Sequence, residues 1–392
     1  MEKKQEQRNA TLAVLVTISV FCMGQIPGSI DAAISKITEY FHLSSTTGLY
    51  VTTVASLVSV GFSILLGVAA GKWIGFRPLI LFCATVELLG AIFPFWTDNF
   101  VVLLILRGLF GVGFGGMQSM ENTVAATLIP IEKRASILGM GIFFGFGMNC
   151  VLQFLGGVLA DRGWNYVFLN HLLLLIPYLI IVIGCVKMDF STQDTEPADA
   201  ADENMGKTTW MLPAAQVMTV LFLMGVFIAP LLIGCSFLSA PLDDSATVAG
   251  VVAVCFSIGC MVGGILYSKM FAVLARMSLP VFLLLTAMGM IGCGMTRSIV
   301  VLCVMIFVSG MGFSATQACA MMVLSLRLPT QKIAFASALM MALFNLGMFL
   351  SSSYELVIGA VTGDALYLPL FLGAAVLLVG AVLCAIISPI RR

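Results

Sequence analysis

Charged side chains are scarce in this sequence: Asp, Glu, Lys and Arg make up 10 % of its 392 residues, and the only two histidines are His42 and His171. The 19 basic residues are balanced by 19 acidic ones; this net charge of zero argues nothing about nucleic acid, and no nucleic-acid partner is expected. The histidines fall near opposite ends of different apolar runs. No nucleophile–base pair, phosphate-cradling loop or metal-spaced cluster accompanies them, so neither an enzyme nor a cofactor is expected. The eleven cysteines are scattered through apolar segments without metal spacing, and they read as small packing residues rather than disulfide partners.

What the sequence has instead is apolar length. Hydrophobic residues make up 60 % of it, and the mean hydropathy of +1.09 is far above that of a water-soluble domain. A helix needs about 20 apolar residues to cross a bilayer core. Twelve runs qualify, at about 10–35, 46–70, 78–97, 100–128, 135–160, 165–187, 209–237, 245–268, 278–296, 298–326, 333–360 and 366–388. The stretch after MEKKQEQRN is too long for a signal peptide and lacks a cleavage-like exit. Fifteen of the nineteen Lys and Arg residues fall on one side of the alternating breaks, which predicts a multi-pass protein of the cell (inner) membrane with both termini cytoplasmic. The long acidic break KMDFSTQDTEPADAADENMGK divides the chain into a first lobe over 1–187, a linker over 188–208 and a second lobe over 209–392.

The halves repeat each other. A shift of 199 residues lays GFGGMQ (113–118) on GFSATQ (312–317), Pro130 on Pro329 and Lys133 on Lys332. Six spans per half give the repeats the same orientation, as in two-lobed secondary transporters with a midplane site between the lobes.

Three passages carry a family resemblance. GVAAGKWIGFRPL (67–79) resembles motif A of the major facilitator superfamily, RGLFGVGFG (107–115) is similar to its motif B, and GGVLADRGWNYVF (156–168) resembles the passage joining its fifth and sixth spans. The resemblance covers the whole chain and is greatest to the twelve-span drug and metabolite:proton antiporters. It implies an all-α membrane protein of major-facilitator fold, with twelve transmembrane helices in two pseudo-symmetric six-helix bundles. Gly71 stands where the family usually has the aspartate of an inner latch, and Phe76 where it has an arginine. Lys72, Arg77 and Arg134 are left as the candidate gating residues.

Read as a helix, 104–122 places Arg107, Gly111, Phe114, Gln118, Glu121 and Asn122 on one stripe. Gly141, Gly145, Asn149 and Gln153 make a second stripe on span five. Polar stripes at membrane depth must face a cavity or a partner, and the resemblance implies that spans four and five line the central cavity. The G-x-x-x-G pairs within both stripes also suit close helix packing. Five ionisable residues lie within spans: Asp31, Glu87, Arg107, Glu121 and Glu355. Asp31 and Arg107 reach similar depths and are expected to pair, while Glu121 lacks a cation and is the candidate proton carrier. Glu87 is expected to be a peripheral hydrogen-bond partner, and Glu355 either touches substrate or faces an outer vestibule.

The repeat shift puts Ile306 and Ala320 where the first lobe has Arg107 and Glu121, so ion coupling is expected in the first lobe. Substrate contacts are expected from Gln25, Gln118, Asn122, Asn149, Gln153, Gln317, Asn345, Tyr354 and Glu355. A Met- and Phe-rich lining with one buried arginine suits lipophilic, neutral or weakly cationic molecules. These features predict a monomeric exporter whose partners are a small-molecule substrate, protons and the lipid bilayer. Proton-coupled uptake of a small nutrient or organic acid is the alternative. A receptor is disfavoured, since no segment is long enough for a soluble output domain.

Overall fold

The computed structural model describes residues 2–26, 28–69, 74–188, 207–327 and 330–387. Lys72 and most of the linker lie outside them, as do the side chains of Asn122 and Arg134. The first lobe contains α1 (Glu2–Gly24), α2 (Ser45–Ala69), α3 (Phe76–Ile92), α4 (Phe100–Leu128), α5 (Ile131–Ala160) and α6 (Leu175–Lys187). The second contains α7 (Lys207–Leu232), α8 (Ala246–Leu274), α9 (Ser278–Met295), α10 (Ile299–Arg327), α11 (Thr330–Thr362) and α12 (Tyr367–Ile386). Among the described residues eleven helices are long and apolar enough to cross a membrane, and α1 makes the twelfth crossing. An even number of crossings returns both chain ends to one face, the proximal face; the opposite face is distal.

Three spans differ from the sequence expectation; the seventh, expected over 209–237, ends at Leu232 and is followed by a separate short helix, Cys235–Ser239. The first, expected over 10–35, is helical only to Gly24 and resumes as a 3₁₀ turn at Asp31–Ala33 and a short helix, Ile34–Tyr40. The sequence Gln-Ile-Pro-Gly at 25–28 explains the break, because proline has no N–H for the helical ladder. The sixth span begins as 3₁₀ helix over Trp164–Leu174 before it becomes α6.

Local chemistry fixes where helices start and how closely they approach. The Asn99 side chain accepts from the amides of Val101 and Val102 and so caps α4. Asp364 gathers the amides of Leu366, Tyr367 and Leu368 ahead of α12. Along α4, Gly111 and Gly115 lie against the α2 backbone at Ala55 and Ser59, and Gly113 lies against α3 at Glu87. A methyl group at any of the three would overlap the neighbouring helix. The packing role of the G-x-x-x-G pair is therefore real, and it wedges α4 between α2 and α3.

The lobes meet along two seams, α2 with α11 and α5 with α8. One apolar core runs through the second lobe and into the distal part of the first, through Ile30, Ile34, Ile37, Trp164 and Phe168. The proximal half of the first lobe has a separate core built from Val16, Met23, Ile80, Met117, Val124 and Ile181. Burial thus joins the lobes at the distal face and leaves the proximal half of the first lobe packed on itself.

Candidate functional site

Arg107 is fully buried on α4. Its Nε donates to the Val51 carbonyl on α2 at 3.0 Å, and its guanidinium carbon lies 4.3 Å from the centre of the Phe110 ring. Neither Nη atom has a hydrogen-bond partner among the described residues. Asp31, in the 3₁₀ turn after α1, is 4 % exposed and accepts from the Thr52 hydroxyl at 3.2 Å. Val51 and Thr52 are consecutive, so α2 holds the cation with one residue and the carboxylate with the next. This corrects the expected Asp31–Arg107 pair. The two charges attract each other, but no ion pair closes between them. The Arg107 Nε goes to the Val51 carbonyl and the Asp31 carboxylate to the Thr52 hydroxyl instead of to each other.

His171 joins this cluster, which its sequence position did not reveal. It comes in on the 3₁₀ stretch of span six, with Nδ1 facing the Phe168 carbonyl at 3.2 Å and Nε2 at 2.7 Å from the Ser29 hydroxyl. In the neutral ring Nδ1 is therefore the donor, and the Ser29 hydroxyl donates to Nε2. Asn170 beside it donates to the carbonyls of Ser29 and Leu152, which ties the broken end of α1 to α5.

Glu121 forms a second cluster further along α4. It is 6 % exposed, and Gln25 Nε2 lies 2.9 and 3.0 Å from its two carboxylate oxygens. Gly24 makes the space, since a Cβ there would collide with the carboxyl. Gln25, expected at substrate, is instead the amide partner of the candidate proton carrier. One turn before Glu121, Gln118 accepts from Asn345 of α11 at 3.0 Å, a hydrogen bond that crosses between the lobes.

The other predicted residues divide. Asn149 and Gln153 do not line an open cavity; they are buried in the α5–α8 seam around Ser257. Asn149 donates to the Ser257 hydroxyl at 3.3 Å, and that hydroxyl donates to Gln153 Oε1 at 2.8 Å. Gln153 Nε2 reaches the Gly28 carbonyl at 3.4 Å and so links the seam to the turn that carries Asp31. Tyr354 spends its hydroxyl on the Pro369 carbonyl at 2.9 Å within its own lobe, and Glu355 is 2 % exposed, so it faces no vestibule. Gln317 is partly buried on α10, and Arg77 is exposed at the start of α3. Glu87 is fully buried, and neither of its oxygens has a partner among the described residues, which corrects its expected hydrogen-bonding role.

Serines take part in further cross-lobe bonds, with Thr53 at 2.9 Å from Ser352 and Tyr50 at 3.3 Å from Ser353. At the distal face, Lys36 forms an ion pair with Asp244 at 3.0 Å and the Ser35 amide donates to Ser236 at 3.3 Å. Asp161, just past α5, accepts from the amides of Ala246 and Thr247 at 2.7 and 3.0 Å and from the hydroxyls of Ser245 and Thr247. Burial raises the affinity of Asp161 for a proton, but these four donors outweigh it and hold the carboxyl below its ordinary value. Small polar residues of this kind carry no signal in one sequence, because serine is as frequent in loops and caps as at seams.

Comparisons with known proteins agree with this architecture. In fold, the chain is similar to the crystal structure of a D-xylose-proton symporter, with a TM-score of 0.76 over 96 % of each chain at 15 % identity. In sequence, it is 28 % identical over 208 residues to the uncharacterised MFS-type transporter YfiU of Bacillus subtilis, covering 51 % of this chain and 39 % of that protein. It is 30 % identical over 174 residues to the MFS-type efflux pump MFS1 of Arthroderma benhamiae, covering 41 % of this chain and 30 % of that protein. It is 27 % identical over 142 residues to the vacuolar basic amino acid transporter 2 of Saccharomyces cerevisiae, covering 36 % and 28 %. The chain thus spans well under half the length of the curated relatives it matches. The family model for the Major Facilitator Superfamily matches residues 16–352, across both lobes and both seams. Twelve crossings in two lobes and a family match running from within α1 to within α11 establish this chain as a member of the Major Facilitator Superfamily.

Proposed function

We propose that this chain is a proton-coupled exporter of small lipophilic, neutral or weakly cationic molecules, working by alternating access between its two lobes. The observation that carries this reading is on α4. Glu121, the carboxyl with an amide for a partner, lies one turn from Gln118, the residue that bridges to Asn345 of the other lobe. A proton arriving at Glu121 removes the charge that Gln25 stabilises, and the helix that feels this change also holds the lobe contact. The second lobe has fully buried Ile306 and Ala320 at the positions that correspond to Arg107 and Glu121, which supports coupling through the first lobe. Among the relatives, one is named an efflux pump and one similar fold is that of a proton symporter.

The lobes are assigned as 1–187 and 209–392, joined by a linker over 188–208. With both termini cytoplasmic in the cell membrane, the distal face is the outer one. The distal contacts of Asp161 and Lys36 then correspond to a closed outer gate, and Lys72, Arg77 and Arg134 remain the candidates for the inner one.

One observation favours the alternative, uptake of an organic acid. The two partnerless Nη atoms of Arg107 are suited to a carboxylate. The guanidinium is fully buried, so in this conformation no substrate reaches it, and the exporter reading is preferred. Flux assays in proteoliposomes separate the two. Ethidium, a lipophilic cation, should move against a proton gradient, whereas gradient-driven benzoate uptake without ethidium transport would establish the acid transporter.

A further inference from the structure

Glu87 has no part in the clusters described above. It is on α3, is fully buried, and neither carboxyl oxygen has a hydrogen-bond donor among the described residues. An ionised carboxylate in such a place costs several kcal/mol, so this conformation suits the neutral acid. As a neutral acid with no partner it adds nothing to packing that an aliphatic side chain would not supply better. A residue that weakens the α3–α4 contact in this way needs a reason beyond structure.

Its surroundings supply one. Glu87 lies against Gly113 of α4, where an added Cβ would come within 2.5 Å of the Glu87 Cβ. Glu121 is eight residues further along α4, roughly 12 Å towards the proximal face. Helical side chains lean towards the N-terminus of their own helix. Because α3 and α4 run in opposite directions, Glu87 leans proximally and Glu121 distally, which brings the two carboxyls towards each other.

Among the described residues, the other groups around Glu87 do not offer it a counter-charge. Cys83 lies one turn away on α3, beside Gly116 of α4. On α6, Tyr178 pairs its hydroxyl with Thr85 at 3.2 Å. Arg107 and His171 lie distally, with Arg107 turned to the Val51 carbonyl and His171 to Ser29.

We infer that Glu87 is a second proton-binding site of this chain, a buried carboxyl on α3 that acts with Glu121 of α4 as a dyad that takes up and releases two protons. The dyad carries no charge when both acids are protonated. Losing one proton leaves a single negative charge on Glu121, where Gln25 stabilises it. Losing the second places a like charge beside the first and so belongs to a different conformation. Each step breaks one carboxyl O–H bond, and the proton goes to water at the open face. The inference rests on the proposal that Glu121 exchanges protons, and it adds a second proton to the count.

Infrared difference spectroscopy across a pH titration of the purified, substrate-free protein tests it through the carboxyl C=O signal. The wild type should show two steps assignable to the dyad, each removed by its own Glu→Gln variant, beside the signals of the other carboxyls such as Asp31 and Glu355. Glu87→Gln should leave one step, with its midpoint moved because the neighbouring like charge is gone, and should halve the carboxyl signal assigned to the dyad. Glu121→Gln should leave the complementary single step and covers the case in which Glu87→Gln fails to fold. If Glu87→Gln and wild type titrate identically while Glu121→Gln abolishes the signal, the dyad is wrong and the proposed function stands. If Glu121→Gln also changes nothing, the proposed proton site fails as well.

Discussion

Asp161 of the first lobe caps a helix of the second. Its carboxylate receives the amide of Thr247, two residues into α8, together with the amide of Ala246. Ser245, at the N-cap position of that helix, supplies no cap of its own. A helix start left without acceptors exposes its orphan N–H groups, so opening the distal face must either rehydrate them or leave them unsatisfied.

Removing this cap should loosen the distal closure. Asp161→Ala should cost about 1 kcal/mol, roughly fivefold in the ratio of closed to open. Asp161→Asn should cost less, because an amide oxygen still accepts. Hydrogen–deuterium exchange at residues 245–248 should rise in that order. Exchange equal to wild type in Asp161→Ala would mean that other contacts hold the gate.

The same carboxylate sets a pH dependence whose sign follows from its lowered affinity for protons in the closed state. Its contribution to closure is fully present above the ordinary aspartate value and is lost as the pH falls through the lowered one. Asp161 should therefore leave distal exchange unchanged between about pH 5 and pH 8, since it stays ionised throughout. A wild-type opening transition inside that window that survives in Asp161→Asn would have to come from another group.

Gly24→Ala and Gln25→Ala should have the same consequence by different routes. The methyl group displaces the Glu121 carboxyl from its amide partner, and the truncation removes that partner. Both should move the pH midpoint of ethidium transport in the same direction, by about one pH unit for a lost hydrogen bond to a charged group. Opposite movements would show that Gln25 acts on something other than Glu121.

Gln118 and Asn345 should behave as a coupled pair. Each alanine substitution alone removes the cross-lobe bond, so the double variant should be no worse than the sum less about 1 kcal/mol. A double-mutant cycle on kcat/KM for ethidium gives this term directly. A coupling of zero would mean the bond contributes nothing to the transport cycle.

Most of the fold was legible, because membrane depth forces long apolar helices and leaves few alternatives. The twelve crossings, the two lobes and the packing role of Gly111 and Gly115 all follow from that constraint. Helix periodicity places Gln118 and Glu121 on one face, and among the described residues no ion pair forms at Glu121. Contacts between helices were much less legible. Depth brings Asp31 and Arg107 level, but it says nothing about the break after Gly24 or about the Val51 carbonyl that takes the Arg107 Nε. Asn149 and Gln153 have the right stripe, but a stripe cannot tell a cavity from a seam. Ser257, Ser352 and Asp161 needed both lobes in place before their partners existed.

The central claim is that buried carboxyls of the first lobe couple transport to protons. Ethidium flux driven by an imposed pH gradient in proteoliposomes tests it most directly, comparing wild type with Asp31→Asn and Glu121→Gln. The account predicts gradient-driven accumulation by the wild type. It predicts that Asp31→Asn loses this accumulation while still binding ethidium, and that Glu121→Gln binds it with an altered pH dependence. If both variants accumulate ethidium with the wild-type response to the gradient, the carboxyls are structural and the claim is contradicted.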